Sequence, residues 1–229
     1  MNMSIIAASM LRIDNRSFII EIDTTKAGSG SSQFQFTGAQ GSYDVEAIKI
    51  GSTQFPEFYN DLIGEQTINL PTSGIYRLSI TASLFNSFTG LRFNNSGDKL
   101  KLLKINQFGL FKDTRTNLFF GCSNLNELGE DGNYLNSITD GTNLFKDCAL
   151  TVIPTRVKFS TLTNGTGILE GNRIETESVS KLYIRMEGAN SNSSVLFNAG
   201  DSKYNTEGET AKDLLIADHS WSFIDRGLE

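Results

Sequence analysis

The chain is short of the residues that most enzymes and metal proteins draw on. Its 229 residues include one histidine, one tryptophan, two cysteines and three prolines. A zinc site needs paired thiols or several imidazoles, and Cys122 and Cys148 show no C-x-x-C pairing. A Ser-His-Asp hydrolase would need His219 as its base, and no G-x-S-x-G elbow is present to carry a nucleophile. In ADHSW, His219 reads as a capping or turn residue instead. The glycine- and serine-rich stretches GSGSS (28–32) and SNSSV (191–195) lack a following Lys-Ser/Thr, so neither implies a phosphate loop. Basic clusters are missing too. With a formal net charge of −6 and no Lys/Arg stripe, the chain lacks the cations that supply most of the affinity in nucleic-acid binding. No apolar run approaches the ~20 residues that span a bilayer, so no membrane insertion is expected. The N-terminal apolar stretch, Ile5 to Leu11, is short and has no Lys or Arg before it. It does not read as an export signal, and the expectation is a protein assembled inside a cell.

Phenylalanine and glycine are plentiful, at 16 and 21 residues, a balance that suggests strands and tight turns more than long helices. The first part of the chain alternates as half-buried strands do. Phe18, Ile20 and Ile22 share a face in RSFIIEID, as do Phe34 and Phe36 in SQFQF and Tyr43, Val45 and Ala47 in YDVEA. Ile68 and Leu70 in TINL, then Tyr76, Leu78 and Ile80 in IYRLSI, continue the pattern. Turn segments KAGSGSS, TGAQGS and PTSG separate these runs. Such spacing predicts a β-sandwich over 16–90, with GSGSS as a mobile loop at its edge.

From about residue 100 the text repeats. KLKLLKINQFG carries Leu100, Leu103 and Ile105 before the first block. Thr116-Asn117-Leu118-Phe119 matches Thr142-Asn143-Leu144-Phe145 at a spacing of 26, and ITDGTNLF (138–145) recurs as LTNGTGIL (162–169) at 24. That period lies in the leucine-rich-repeat range, where neighbouring units must stack to bury their apolar faces. The tail reads as a cap from about 176. Val179, Leu182 and Met186 have helical spacing, and SSVLFNAG is a short strand. TEGETAKDLLIADH is a helix with Thr206 as N-cap, Glu209 completing a capping box, and Ala211, Leu214 and Leu215 inward. WSFID closes as a last strand, with Trp221 and Phe223 on one side.

NNSGDKLKLLKINQFG (94–109), NLFFGCSNLNEL (117–128) and NLFKDCALTVIP (143–154) resemble the BspA-like leucine-rich-repeat surface proteins of Bacteroidota and their phages. The ending SKYNTEGETAKDLLIADHSWSFIDRG is similar to that family's terminal cap. TSGIYRLSIT (72–81) resembles the penultimate strand of the polycystic-kidney-disease (PKD) domains that precede the repeats in many relatives. At YDVEAIKIGS the chain lacks those domains' Trp-Gly-Asp-Gly turn. The resemblance implies a mainly β protein with some α. An N-terminal PKD/Ig-like β-sandwich (16–90) would lead into a short leucine-rich-repeat solenoid (91–229) with an α/β C-terminal cap. It implies binding or display rather than catalysis, and members are adhesins or phage structural components.

Each residue type with possible chemistry also has a structural reading. Cys122 and Cys148 fall at the same place in successive units, and Asn172 is their counterpart in the third. Equivalent positions in stacked turns lie roughly 5 Å apart, which overlaps the disulfide range. Two free core thiols are nonetheless expected. NNSGD (94–98) clusters oxygens that a calcium ion could use, but a tight turn wants the same residues. The carboxylate pairs Glu21/Asp23 and Glu127/Glu130 could serve a glycosidase only at the right separation, and are expected at the surface. Asn117, Asn124, Asn126, Asn133, Asn136, Asn143, Asn164 and Asn172 suggest side chains bonded to a repeating backbone, with the rest, and Tyr134, free to meet a glycan or partner. The lead-in 1–15, with Ile5, Ile6, Met10 and Leu11, could anchor a subunit to its neighbour. No catalytic, cofactor-binding or metal-binding residue is named, and no cofactor is expected. The expected function is that of a phage virion subunit (fibre, decoration or receptor-binding) meeting other virion subunits or a host surface protein or glycan, as a homo-oligomer. A bacterial cell-surface adhesin is the alternative, and a carbohydrate-active enzyme the third reading.

Overall fold

The computed structural model describes residues 16–82 and 88–229, so the lead-in 1–15 lies outside the described residues. The fold is mainly β with some helix. Its largest sheet takes in β1 (Phe18–Asp23), β3 (Ser42–Lys49), β4 (Glu57–Ile63), β6 (Ile75–Ala82), β7 (Leu102–Gln107) and β8 (Glu127–Leu128), in the order β4-β3-β6-β1-β7-β8. Pairing is antiparallel as far as β7 and parallel between β7 and β8. A second sheet pairs β2 (Gln33–Gln35) with β5 (Thr67–Asn69). The rings of Phe34, Phe36 and Tyr43 meet between the two sheets at 5.1 and 5.2 Å. Strict alternation puts Phe18, Ile20, Ile22, Tyr43, Val45, Ala47, Tyr76, Leu78 and Ile80 into this core, as the sequence predicts.

Strand β4 is absent from the expected strands. Its residues EFYNDLI are exposed or half-buried throughout, so it offers no buried alternation to read. Strand β7 pairs with β1 of the first sheet, which therefore runs on past residue 90. Within this stretch Lys101, Leu102 and Ile105 are buried, whereas Leu100 and Leu103, expected inside, are only half-buried.

From Phe93 onward the chain makes successive passes that stack edge to edge. Phe93 donates its N–H to Leu118 O (2.7 Å), Phe119 to Leu144 O (2.9 Å), Phe145 to Ile168 O (2.9 Å) and Leu169 to Asn198 O (3.1 Å). Phe93, Phe119 and Phe145 form a column, with ring centroids 6.4 and 5.4 Å apart. Each pass bends at the same point through a left-handed residue: Asn95 (φ 61°), Gly121 (79°), Asp147 (55°) and Gly171 (79°). Only Gly, Asn and Asp take that conformation readily. The side-chain oxygen of Asn95 fills the space where Gly121 would carry a Cβ, and that of Asp147 does the same above Gly171. Long polar residue and glycine therefore alternate up the stack.

The last part packs α2 (Thr176–Glu187) against α3 (Thr206–His219), beside a parallel pair β9 (Leu196–Asn198) and β10 (Ser222–Ile224). A short helix α1 (Asn133–Asn136) lies earlier in the stack. Val179, Leu182 and Met186 are buried as expected, joined by Ser180 and Tyr183. Gly208 allows the helices to meet closely, because a Cβ there would sit 2.8 Å from Ser180 Cα. Two expectations for α3 are corrected. Its N-cap is Asn205, whose side chain accepts from Gly208 N–H, not Thr206. Leu214 is 43% exposed, while Ala211 and Leu215 face α2 and the core.

Candidate binding site

A cleft of about 290 Å³ lies where the loop after β7 meets α1 and the next pass of the stack. Leu118, Ile138, Leu144 and Tyr134 line it with apolar surface, while Lys112, Thr114, Thr139 and Asp140 stand at its rim. Its polar wall is rigid. Asp113 is buried and takes a bidentate bond from Arg115, whose Nη2 also donates to Gly38 O at 2.7 Å. Asp140 accepts from Thr142 N–H (3.0 Å) and Thr142 Oγ1 (2.6 Å). Lys112, Thr114 and Thr139 are exposed. An apolar floor with hydroxyl, ammonium and carboxylate groups at its rim suits a small polar ligand with one greasy face, such as a sugar ring.

Tyr134, expected as an exposed contact aromatic, is instead a buried part of this wall. Its ring packs on Phe108 and Phe111 at 5.4 and 4.8 Å, and its hydroxyl donates to Asp113 O at 2.6 Å. Burial, with the Asp113 carboxylate nearby, pushes its phenol well above the usual tyrosine value. A second groove of about 250 Å³ lies at the foot of α2, where Arg173, Lys203 and Arg226 alternate with Glu175, Asp201 and Glu229.

The other sequence candidates are dispersed, and most serve structure. Cys122 and Cys148 are buried free thiols, both pushed upward by burial, and Cys148 Sγ lies 3.2 Å from Phe119 O. Asn172, one pass on, sends Nδ2 to Phe145 O (2.7 Å) and Leu169 O (3.0 Å) and accepts Leu150 N–H (2.9 Å). Asn124 bonds Leu100 O, Asn136 bonds Arg156 O and two backbone N–H groups, and Asn143 bonds the Asn117 side chain. Asn164 bonds Asp140 and Thr142, Asn126 is exposed, and the side chain of Asn133 lies outside the described residues. Of the carboxylate pairs, Glu21 accepts from Asn106, Asp23 from Thr25, Glu127 pairs with Lys104 at 2.7 Å, and Glu130 accepts from Thr155. His219 is the last residue of α3.

NNSGD contributes one residue that sequence reasoning missed. Asp98 and Lys101 form a fully buried ion pair at 3.2 Å. Asp98 accepts Ser29 N–H (2.6 Å), Ser29 Oγ (2.6 Å) and Gln35 N–H (2.7 Å), and Lys101 donates to Ser29 Oγ, Gly30 O and Gln33 O. The segment expected to be a mobile edge loop is thus clasped to the start of the stack. Asp and Lys three residues apart in GDKLK were the signal, but nothing local says that they turn inward. Among the described residues no group of three or more His, Cys, Asp or Glu could hold a metal ion. No helix among them is long and apolar enough to cross a membrane. Neither a family model, nor a curated protein, nor a solved structure matches the chain.

Proposed function

We propose that the protein is a non-enzymatic subunit of a bacteriophage particle: a fibre, decoration or receptor-binding component present in several copies. It works by contacts with other particle subunits or with a host surface protein or glycan, without nucleic acid or membrane insertion. On this reading the first sheets are a PKD-like sandwich, the stacked passes a short leucine-rich-repeat solenoid, and the segment from about 176 its cap. The observation that carries it is where the reactive side chains are spent. Asp98, Lys101, Asp113, Asn172 and the Cys148 thiol bond backbone groups, and the Cys122 thiol is buried, which supports a rigid body that presents surfaces. Gold-labelled antibody against the chain should decorate purified particles at regular positions in electron micrographs, and unlabelled particles would refute the proposal. A cell-surface adhesin is the second reading, favoured by the sugar-sized cleft at Tyr134 and Lys112. It requires labelling of intact, uninfected cells instead.

A further inference from the structure

The open edge of the large sheet has a composition at odds with ordinary edge protection. β4 comes first in the strand order and, among the described residues, pairs only with β3. Edge strands are usually blunted by bulges and charge, and β4 has both. Its pairing with β3 shifts register between Tyr43 and Val45, Asp61 takes a left-handed φ of 56°, and its N–H bonds the Asp44 carboxylate. Yet the edge also exposes Phe55 at 80%, Phe58 at 64% and Ile63 at 68%. Large apolar groups this bare, clustered along one strand, mark a contact surface.

The charge around them has one sign. Asp44, Glu46, Glu57, Asp61 and Glu65 sit on or beside β4, with Glu46 directly across from Phe58 in register. From Ile50 to Tyr76 the sequence has no Lys or Arg. The nearest cation in sequence, Lys49, is turned to Thr72 Oγ1 and Ser73 O, and Arg77 lies two strands away, opposite Glu21. A second copy pairing here would set acid against acid, which opposes self-association. The geometry points to a partner protein that adds an extended segment along β4 with both apolar and basic side chains on the one face that Phe58, Ile63, Asp44 and Glu46 share. Main-chain bonds would complete the edge, apolar side chains would cover Phe58 and Ile63, and Lys or Arg would meet the carboxylates. This inference stands whether the protein belongs to a particle or a cell surface.

An acetylated nine-residue peptide, Thr-Val-Thr-Lys-Thr-Val-Thr-Lys-Thr, which sets Val and Lys in turn on one strand face, and its counterpart with Glu for Lys, would be titrated into ¹⁵N-labelled protein. Expected are amide shifts concentrated in 57–63 with the Lys peptide alone, and affinity that falls with added salt. Phe58→Ala should weaken binding at least fivefold at unchanged melting temperature. Glu46→Lys with Glu57→Lys should shift the preference toward the Glu peptide. Equal binding of both peptides, shifts outside β4, or a dimer through β4 in sedimentation experiments would each overturn the inference.

Discussion

Asn172 stands on the rung that Cys122 and Cys148 hold in the passes before it. Each pass leaves an inward carbonyl at this rung, Phe119 O below Cys148 and Phe145 O below Asn172. A thiol is a weak donor that fits where packing dominates, while a carboxamide is a strong donor that must be fully satisfied. Asn172→Ala leaves two carbonyls and the Leu150 N–H without this partner, so it should cost about 2–4 kcal/mol. Cys122→Ala removes one buried sulfur and should cost about 1 kcal/mol. Urea midpoints of the two variants check the order. The buried phenols give a pH prediction at the same scale. Tyr43, Tyr134 and Tyr183 all have raised pKa values, from burial first and then from Glu65, Asp113 and Asp225 respectively. The unfolded chain releases the Cys122 and Cys148 protons from about pH 9 and the tyrosine protons from about pH 10, while the folded one keeps them, so stability falls as pH rises through this range. Urea midpoints at pH 7, 9 and 11 should decline, and more steeply over the upper interval.

At the scale of elements, legibility followed burial. Strands β1, β3 and β6 were readable because one face is buried along its length and the other is not. Strand β4 was not, because an edge strand with both faces wet carries no period-two signal. The helices α2 and α3 were readable from spacing, but the cap of α3 was misplaced by one residue, since Asn205 and Thr206 are both good capping types. Backbone geometry decides between them: Asn205 is extended, and its side chain reaches Gly208 N–H at 3.0 Å. Asn205→Ala should therefore destabilise by about 1 kcal/mol, while Thr206→Ala should stay within about 0.5 kcal/mol, as thermal melts would register. The cleft was the least legible feature. It is assembled from Lys112, Tyr134 and Asp140, which no local pattern joins.

At the scale of the whole molecule, the two sheets and the stack share one core among the described residues. A chain of rings runs from Phe36 through Tyr43, Phe88, Phe18 and Phe111 to Phe119 and Phe145, each step between 4.6 and 6.3 Å. The Asp98–Lys101 clasp and the β1–β7 pairing cross the same junction. Calorimetry should show one transition with equal calorimetric and van't Hoff enthalpies. Lys101→Met, which strands a buried carboxylate, should lower the stability of the whole by about 3–5 kcal/mol without splitting the transition. A one-piece body of this kind accords with the particle subunit proposed above. The most direct test of that role is quantitative mass spectrometry of phage particles purified through a density gradient. A particle subunit would give peptides of this chain at a fixed stoichiometry to the capsid or tail proteins, retained after high-salt washing. Their absence from particles while the chain is abundant in the infected lysate would contradict it.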